Sequence, residues 1–302
     1  MTPRERDARP RTVRAYPIAA KSASTYRAVI FWTRELVSPI IIAEACGEVS
    51  RSYPAVALTK QRARNGRRLS ALARLVSDTP ELRDAYAALL SGIRLSRALE
   101  SGRSILVTST QPNEGKSTIA SCLAITALLS GQTVLLIDGD LRRPWLGSAV
   151  GIGDGVGLGE ILDGQAEADE AIHPVELFED PRKVGPLSVM SAGRKSPSFL
   201  AALNWSKARE AFRSISERYG IVFLDSPPIL AVNDAVFFGG MVDGILLVIG
   251  AGSADREEVR RAKEQLEPIG TPIIGAVLNQ FDPKLHGRPN QPYRGYYLDA
   301  PR

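Results

Sequence analysis

Six short apolar runs, separated by helical patterns, are the feature that most limits the fold of this 302-residue chain. Each run is rich in Val, Ile and Leu without polar alternation, which is typical of strands covered on both faces of a parallel sheet. Repeated strand-then-helix units predict right-handed crossovers and a doubly wound, mostly parallel α/β sheet, with ligands at the carboxyl ends of the strands. The runs are SILVTS, TVLLID, LSVMSA, IVFLDS, GILLVIG and PIIGAVLN, and the main helical patterns cover residues 117–130, 205–219 and 254–267.

The charge distribution separates an N-terminal region from the rest of the chain. Residues 1–75 contain fifteen Lys and Arg against five Asp and Glu, whereas the whole chain carries a formal net charge of +5. We predict a basic, partly flexible N-terminal region (1–77), an α/β domain (78–282) that opens with an amphipathic helix over 78–96, and a mobile tail (283–302). The densest basic patch could meet anionic lipid headgroups or an acidic partner, or form a solvated arm; it consists of Arg62, Arg64, Arg67 and Arg68. No nucleic-acid-reading motif accompanies this charge.

The first residues lack the features of a secretion signal. The start, MTPRERDARPRTVRAYP, is charged where a signal peptide needs an apolar core. Residues 28–47 are more apolar, but Arg34, Glu35, Pro39 and Glu44 interrupt them, and a spanning helix needs about 20 mostly apolar residues. We interpret this stretch as a buried or partner-facing segment, or as one that lies in a membrane interface. Two cysteines and no zinc-type spacing predict a cytoplasmic protein.

The stretch VTSTQPNEGKST, residues 107–118, ends like a phosphate-binding loop. In the common pattern G-x-x-x-x-G-K-S/T, the last three positions are Gly115, Lys116 and Ser117, but Thr110 replaces the first glycine. The loop follows a predicted strand and precedes a predicted helix, which is the context that the motif requires. Backbone N–H groups would surround the phosphates, Lys116 would bind β/γ-phosphate oxygens, and the Ser117 hydroxyl would be a ligand of Mg2+.

Carboxylates end two further predicted strands. In VLLIDGDLRRP, Asp138 and Asp140 project to the same side of an extended backbone, so both could face a metal ion and an attacking group. One could hold water around Mg2+ while the other accepts a proton from an incoming hydroxyl. Alternatively, Asp140 caps the following turn and pairs with Arg142. Asp225 ends IVFLDSPP, where it can bind a water that Mg2+ coordinates.

These motifs resemble those of the bacterial tyrosine kinases of exopolysaccharide and capsule synthesis, the cytoplasmic catalytic unit of the Wzc/CapB type. The first motif of that family, S-S-x-P-G-E-G-K-S, also lacks the first glycine of the common loop, although Asn113 here replaces a family glycine. The resemblance covers residues 80–300. The D-x-D-x-R element of the family is matched by Asp138, Asp140 and Arg142, and its D-x-P element by Asp225 and Pro227.

The resemblance implies a P-loop NTPase fold of the ParA/MinD-like superclass and a protein tyrosine kinase that uses ATP and Mg2+. It implies Lys116, Asp138 and Asp140 as catalytic residues. Asn279 would lie near the adenine, or is instead a turn former. The implied metal ligands are Ser117, Asp138 and Asp225, and the implied nucleotide-binding residues are Asn113, Glu114, Gly115, Lys116, Ser117, Thr118, Arg142 and Asn279.

Some positions depart from the patterns of the relatives. Partitioning and septum-placing ATPases of the same superclass carry an additional lysine early in the loop, where this chain has Gln111. The oligomer-forming E-x-x-R-x-x-R helix of the kinase family aligns with Asp84, Ala87 and Leu90, so both arginines are missing, and KSPSFLA (195–201) matches a P-N-P-x-E-L-L segment only loosely. We therefore keep a second hypothesis, a nucleotide-dependent binding switch with little kinase activity that docks on a membrane partner.

The C-terminal tail contains candidate phosphoacceptors. Relatives end in a tyrosine cluster that neighbouring subunits phosphorylate, and this chain ends with Tyr293, Tyr296 and Tyr297 in PYRGYYLDAPR. Three tyrosines in a tail could also be incidental. The resemblance further implies a membrane polysaccharide co-polymerase as activator, a tyrosine phosphatase and a second copy of the chain as partners, and a location at the cytoplasmic face of the plasma membrane. Because the sequence has no nucleic-acid-reading motif, we predict no nucleic-acid partner.

Overall fold

A computed structural model describes residues 68–96, 102–153, 155–179, 184–194, 198, 200 and 203–280, together with three N-terminal strands. The strands are β1 (Arg14–Pro17), β2 (Ala28–Trp32), β3 (Ile40–Ala43), β4 (Ser104–Ser109), β5 (Val134–Asp138), β6 (Ile172–Val175), β7 (Leu187–Met190), β8 (Ile221–Asp225), β9 (Gly244–Gly250) and β10 (Ile273–Asn279). The helices are α1 (Arg68–Asp78), α2 (Pro80–Arg94), α3 (Lys116–Leu129), α4 (Leu146–Val150), α5 (Leu158–Leu162), α6 (Ala168–Ala171), α7 (Trp205–Ser216), α8 (Asp234–Gly239) and α9 (Arg256–Leu266).

The strands form one ten-stranded sheet in the order β1-β2-β3-β10-β9-β4-β8-β5-β7-β6. Every neighbouring pair from β3 across to β7 is parallel. The pairs β1–β2, β2–β3 and β6–β7 are antiparallel and lie at the two ends of the sheet. The predicted mostly parallel α/β sheet is therefore confirmed, and the antiparallel edge strand β6 is an addition that the sequence did not indicate.

Helices cover both faces of the central sheet. Strands β4, β5, β8 and β9 are buried at every position, which explains why their sequences are apolar without alternation. Along β4, Ile105 and Val107 belong to one hydrophobic core, which includes Leu123 of α3. Leu106 belongs to the other core, which includes Phe212 of α7. Because successive strand residues face opposite sides, these two cores lie on opposite faces and the sheet is doubly wound.

The α/β domain begins earlier than the sequence analysis predicted. Residues 68–77, which we assigned to the N-terminal region, form most of α1. The side chains of Leu69, Ala73 and Val76 are buried in the same core as α2 and α3, so this helix belongs to the domain. Helix α2 occupies most of the predicted helix over 78–96. Among the described residues, both α1 and α2 precede β4, so the described part of the domain begins at or before residue 68 rather than at residue 78.

Residues 28–47 contribute two strands to the sheet. Strands β2 and β3 lie in this stretch, and β3 runs parallel to β10 with Ile40 opposite Ala276. The backbone here is therefore part of the sheet, in contrast to the separate N-terminal region that we predicted. Among the described helices, none combines the length and the apolar composition needed to cross a membrane.

Several predicted features lie outside the described residues. They are Arg62, Arg64 and Arg67 of the basic patch, most of residues 195–201, and the tail with Tyr293, Tyr296 and Tyr297. Arg68, the last member of the basic patch, is the first residue of α1. The roles assigned to the undescribed residues stay predictions.

Candidate nucleotide-binding site

The carboxyl ends of the central strands bring the predicted site residues to one edge of the sheet. Strand β4, which leads into the candidate phosphate loop, lies between β8 and β9. Asp138 and Asp225 end the neighbouring strands β5 and β8 and lie opposite each other in register. Asn279 ends β10 opposite Gly250 of β9. The topology therefore places the loop, both carboxylates and Asn279 at the same edge.

Two residues of the loop have left-handed backbone conformations. Gly115 has φ +89°, and a side chain there would collide with the amide of Asn279, so only glycine fits this position. Asn113 has φ +67°. Asparagine tolerates this region better than most residues, which explains how it can stand where the kinase family has glycine.

Helix α3 begins directly after the loop, with Lys116 and Ser117 half-buried and Thr118 exposed. Within the part of the chain that the structure describes, no side chain caps the N-terminus of α3. The first N–H groups of the helix therefore stay available for an anion, which the positive end of the helix dipole also favours. This arrangement suits a phosphate group.

The side chain of Glu114 holds the loop together rather than facing a ligand. It is fully buried, and its carboxylate accepts hydrogen bonds from the Gln111 N–H (2.9 Å) and the Thr110 hydroxyl (2.6 Å) of the loop. It also accepts from the Gly250 N–H (2.9 Å) and the Ser253 hydroxyl (3.1 Å) after β9. Glu114 can therefore contact a nucleotide only through its backbone.

The end of β10 supports the other side of the loop. The side-chain amide of Asn279 donates to the Glu114 carbonyl (2.8 Å), and that of Gln280 donates to the Asn113 carbonyl (2.8 Å). Asn279 lies within the strand, whereas Gln280 has the positive φ of +59°. The turn-former alternative for Asn279 is therefore wrong, and a contact with adenine stays a prediction.

Gln111 connects the loop to helix α9. Its side-chain amide donates to the Glu258 carboxylate (2.8 Å). The other oxygen of this carboxylate accepts the N–H of Asp255 (3.0 Å), which completes the N-terminal cap of α9. Partitioning ATPases carry an additional lysine at the position of Gln111. In this chain the residue instead makes a hydrogen bond between the loop and α9.

The two strand-end carboxylates differ in how their oxygens are satisfied. Asp138 accepts the N–H groups of Trp145 (2.8 Å) and Leu146 (2.9 Å) at Oδ2, and that of Asp140 (3.1 Å) at Oδ1. Asp225 accepts the indole N–H of Trp145 at Oδ2 (2.8 Å). Its Oδ1 is buried and has no hydrogen-bond partner among the described residues.

Burial raises the pKa of both carboxyl groups. The pKa of Asp138 rises to about 7, first because the group is buried and second because Asp225 is nearby; its three backbone hydrogen bonds oppose the rise. Burial also raises the pKa of Asp225, against the lowering effects of the Lys116 charge, the Ser117 hydroxyl and the Trp145 indole. A divalent cation beside this buried pair would favour the ionised form of both carboxyl groups.

The donor set fits Mg2+ that is shared with phosphate oxygens. Carboxylate and hydroxyl oxygens are hard ligands, and a protein typically holds Mg2+ through one or two carboxylates together with waters and substrate phosphates. The unpartnered Oδ1 of Asp225 and the Ser117 hydroxyl belong to this class. Over the described residues, no group of three or more His, Cys, Asp or Glu side chains converges to form a protein-only metal site.

Asp140 and Arg142 take structural contacts. Oδ1 of Asp140 accepts the N–H groups of Arg142 (3.2 Å) and Arg143 (2.9 Å), so Asp140 caps this turn as the alternative interpretation proposed. The Arg142 guanidinium binds both oxygens of Asp234 (2.9 and 3.0 Å), a residue that starts α8. A pair between the side chains of Arg142 and Asp140, the other half of that alternative, is therefore wrong.

Sequence reasoning missed several residues of this site. Trp145, Asp234, Ser253 and Gln280 each bind a predicted site residue, and none belongs to a motif. Only Asp234 could have been singled out from the sequence, because an acidic side chain at the start of a helix often stabilises the helix N-terminus. The partners of the other three are distant in sequence, so only the folded chain reveals them.

A phosphate loop between a buried strand and a helix, beside paired carboxylates at the edge of a parallel sheet, defines a P-loop nucleotide-binding protein. No protein-family model matches the sequence. The chain is 33% identical over 197 residues to tyrosine-protein kinase YwqD of Bacillus subtilis (strain 168), which covers 65% of this chain and 80% of that relative. The chain therefore belongs to the family of bacterial tyrosine-protein kinases, as its motifs predicted.

Solved structures agree with this assignment. The kinase domain of the Escherichia coli tyrosine kinase ETK is 26% identical and aligns with a TM-score of 0.64 over 78% of this chain and 88% of that chain. The septum site-determining protein MinD complexed with Mg-ADP, from Pyrococcus horikoshii OT3, aligns with a TM-score of 0.50 at 23% identity over 62% of this chain and 74% of that chain. The second likeness is one of fold alone.

Proposed function

We propose that this protein is a Mg2+-ATP-dependent protein tyrosine kinase that phosphorylates itself and acts in capsule or exopolysaccharide synthesis and export. The observation that carries the proposal is the buried pair of Asp138 and Asp225, close enough to Lys116 for its charge to affect Asp225. Phosphoryl transfer depends on positioned phosphates and on positive charge that offsets the charge of the transferred group. Membership of the kinase family supports tyrosine as the acceptor.

In this proposal each residue type has a defined task. Lys116 and the N–H groups at the start of α3 bind the phosphate oxygens. Ser117, Asp138 and Asp225 are the Mg2+ ligands, directly or through water, and Mg2+ when bound offsets negative charge on the phosphates. Asp138 or Asp140 orients the tyrosine hydroxyl and accepts its proton on a carboxylate oxygen.

The proposal is tested by phosphate transfer and by binding. The wild type should transfer the labelled γ-phosphate of ATP to tyrosine in the presence of Mg2+. Lys116→Ala removes the main side-chain charge on the phosphates, so we expect transfer to fall by about 100-fold or more and calorimetric ATP affinity to drop strongly. The exposed Lys207 provides a matched control, since Lys207→Ala changes the same charge on α7. Wild-type ATP affinity in Lys116→Ala would show that the loop assignment is wrong.

A second candidate function is the nucleotide-dependent binding switch. The observation that favours it is on α2, where Ala87 is exposed and Leu90 is 4% exposed, so neither position offers a charge to a neighbouring subunit. The transfer assay separates the two candidates when it is run with and without a membrane fraction that contains the co-polymerase. Tight nucleotide binding with no transfer under either condition would favour the switch.

The proposed partners follow from the family. They are a membrane polysaccharide co-polymerase as activator, a tyrosine phosphatase, and a second copy of the chain as substrate. We propose that the protein works at the cytoplasmic face of the plasma membrane, where the basic patch ending at Arg68 would meet anionic headgroups. Co-sedimentation with anionic vesicles, compared with neutral ones, tests this location.

A further inference from the structure

Trp145 contacts both strand-end carboxylates. Its backbone N–H donates to Oδ2 of Asp138 (2.8 Å), and its indole Nε1–H donates to Oδ2 of Asp225 (2.8 Å). The rest of the indole packs against the core on the α3 face of the sheet, which holds the ring in place. One residue outside the recognised motifs thus links the ends of β5 and β8.

The indole contact makes the two oxygens of Asp225 different. A carboxylate without neighbours can rotate and exchange its oxygens. Here Oδ2 is hydrogen-bonded to Trp145, whereas Oδ1 is buried and has no hydrogen-bond partner among the described residues. An unpartnered buried carboxylate oxygen is unfavourable unless a cation, a water or a donor satisfies it.

We propose that Trp145 is a positioning residue of the Mg2+ site: its indole N–H holds Asp225 so that Oδ1 is left for the cation or its water. The inference rests on the proposed function, since it assigns a role toward the same Mg2+. Hydrogen-bond partners of metal ligands orient those ligands, and their removal typically lowers metal affinity by about 10–100-fold. Trp145 has the hydrogen-bond partner of such a residue, and its half-buried ring packs against the core.

Trp145→Phe is a selective test of this role. The substitution removes the indole N–H but keeps an aromatic ring in the core, and the backbone N–H to Asp138 is unaffected. Affinity for ADP is measured by calorimetry in the intact protein, first without Mg2+ and then over a series of Mg2+ concentrations. The matched control is Trp205→Phe, because Trp205 stacks on Phe237 at 4.9 Å, is 37% exposed, and begins a helix on the opposite face.

We expect Trp145→Phe to need about tenfold more Mg2+ for half-maximal enhancement of ADP binding, with metal-free ADP affinity within about twofold of wild type. Trp205→Phe should match the wild type in both measurements. An unchanged Mg2+ requirement in Trp145→Phe would overturn the positioning role. So would an equal loss of ADP affinity with and without Mg2+, because that result assigns Trp145 to the shape of the loop.

Failure of the proposed function gives a different result. If the wild type binds ADP equally with and without Mg2+, the Mg2+ site is wrong and the inference about Trp145 is wrong with it. If Trp145→Phe does not fold, 3-benzothienylalanine at position 145 replaces the N–H by sulfur in a ring system of nearly the same shape. The expected shift in Mg2+ requirement and the contradicting results are then the same.

Discussion

At the scale of single residues, Glu114 organises most of the phosphate-binding loop. A fully buried carboxylate is costly unless its oxygens are hydrogen-bonded, and here two N–H groups and two hydroxyls supply the bonds. The donors come from the loop itself and from the residues after β9. Glu114 therefore sets the path of the loop before any ligand binds, which reduces the ordering that nucleotide binding requires.

Glu114→Ala should destabilise the protein clearly. The substitution leaves four donors without their buried acceptor, so we expect a loss of ~2–4 kcal/mol in the free energy of unfolding. Urea denaturation monitored by circular dichroism measures it. The matched control is Glu257→Ala on the surface of α9, which breaks an ion pair with Arg260 in water and should stay near wild type. Equal stability of the two variants would contradict the role of Glu114.

The raised pKa of Asp138 predicts a pH-dependent affinity for Mg2+-nucleotide. A cation favours the ionised carboxylate, so below pH 7 the proton must leave before the cation binds. We expect the affinity to fall by at most about tenfold per pH unit below about pH 7, and to be constant above about pH 8. Folding stability without a bound cation should depend on pH in the opposite direction. The contribution of protonated Asp138 to stability is complete below its ordinary pKa of 3.8 and is lost as pH rises through about 7.

Calorimetry in buffers of different ionisation enthalpy measures this proton directly. Binding of Mg2+-ADP should release up to about one proton per site at about pH 6 and almost none at about pH 8.5. The control is a titration of Mg2+ with ADP in the same buffers, which accounts for protons from the nucleotide itself. Equal proton release at both pH values would show that neither carboxyl group titrates in this range.

At the scale of elements, α2 differs from the oligomer-forming helix of the family in how its positions are used. Asp84 and Ala87 are exposed, but Leu90 is buried in the core that α2 shares with α1 and α3. A residue at position 90 is therefore turned toward this chain's own core. Helix α2 contributes to the stability of the domain, and of the three motif positions only Asp84 and Ala87 are exposed.

We expect the isolated protein to form small species rather than a stable ring through α2. Ala87 and Leu90 replace the two arginines of the family motif, and exposed alanine supplies little interface energy. Light scattering at micromolar concentration measures the mass. The informative variant is Ala87→Glu, since it places a charge on the exposed face without touching the core. A ring in the wild type that Ala87→Glu dissolves would contradict this prediction.

At the scale of the whole molecule, the proposed kinase and its tail predict phosphorylation between copies. The proposed acceptors are Tyr293, Tyr296 and Tyr297, which lie in the sequence after β10 and beyond a segment that contains Gly and Pro. Each phosphate would add about −1.5 to −2 charges, which would repel an acidic site and release the tail. We expect phosphate on the tail of a Lys116→Ala copy that is incubated with active protein.

Mass spectrometry of a mass-labelled Lys116→Ala copy distinguishes transfer between molecules from transfer within one. A control copy in which the three tail tyrosines are Phe should lose most of the label. Active enzyme that leaves the tail of the inactive copy unmodified would contradict the prediction. Label that persists in the Phe copy would assign the main acceptors elsewhere.

The sequence by itself determined the central sheet and the class of the site. Continuous apolar runs predicted strands β4, β5, β7, β8, β9 and β10, because strands covered on both faces need no polar positions. The sequence also predicted that the site residues meet at one edge of the sheet, because strand ends and a loop-helix junction lie together in any sheet of this topology. These residues are Asp138, Asp225 and the Gly115-Lys116-Ser117 triplet. The resemblance of those motifs to the bacterial tyrosine kinases predicted the family.

Tertiary structure alone decided how each site side chain is used. Glu114 and Asp140 lie at positions of the family motifs, but their carboxylates accept hydrogen bonds from backbone N–H groups of their own loops. Arg142 pairs with Asp234, and Trp145 reaches Asp225, over separations of 92 and 80 residues. Local patterns report periodicity and turns over a few residues, whereas these contacts depend on which strands are neighbours in the sheet. The strand order, which places β8 between β4 and β5, is therefore the physical reason that Asp138 and Asp225 lie opposite each other next to the phosphate-binding loop.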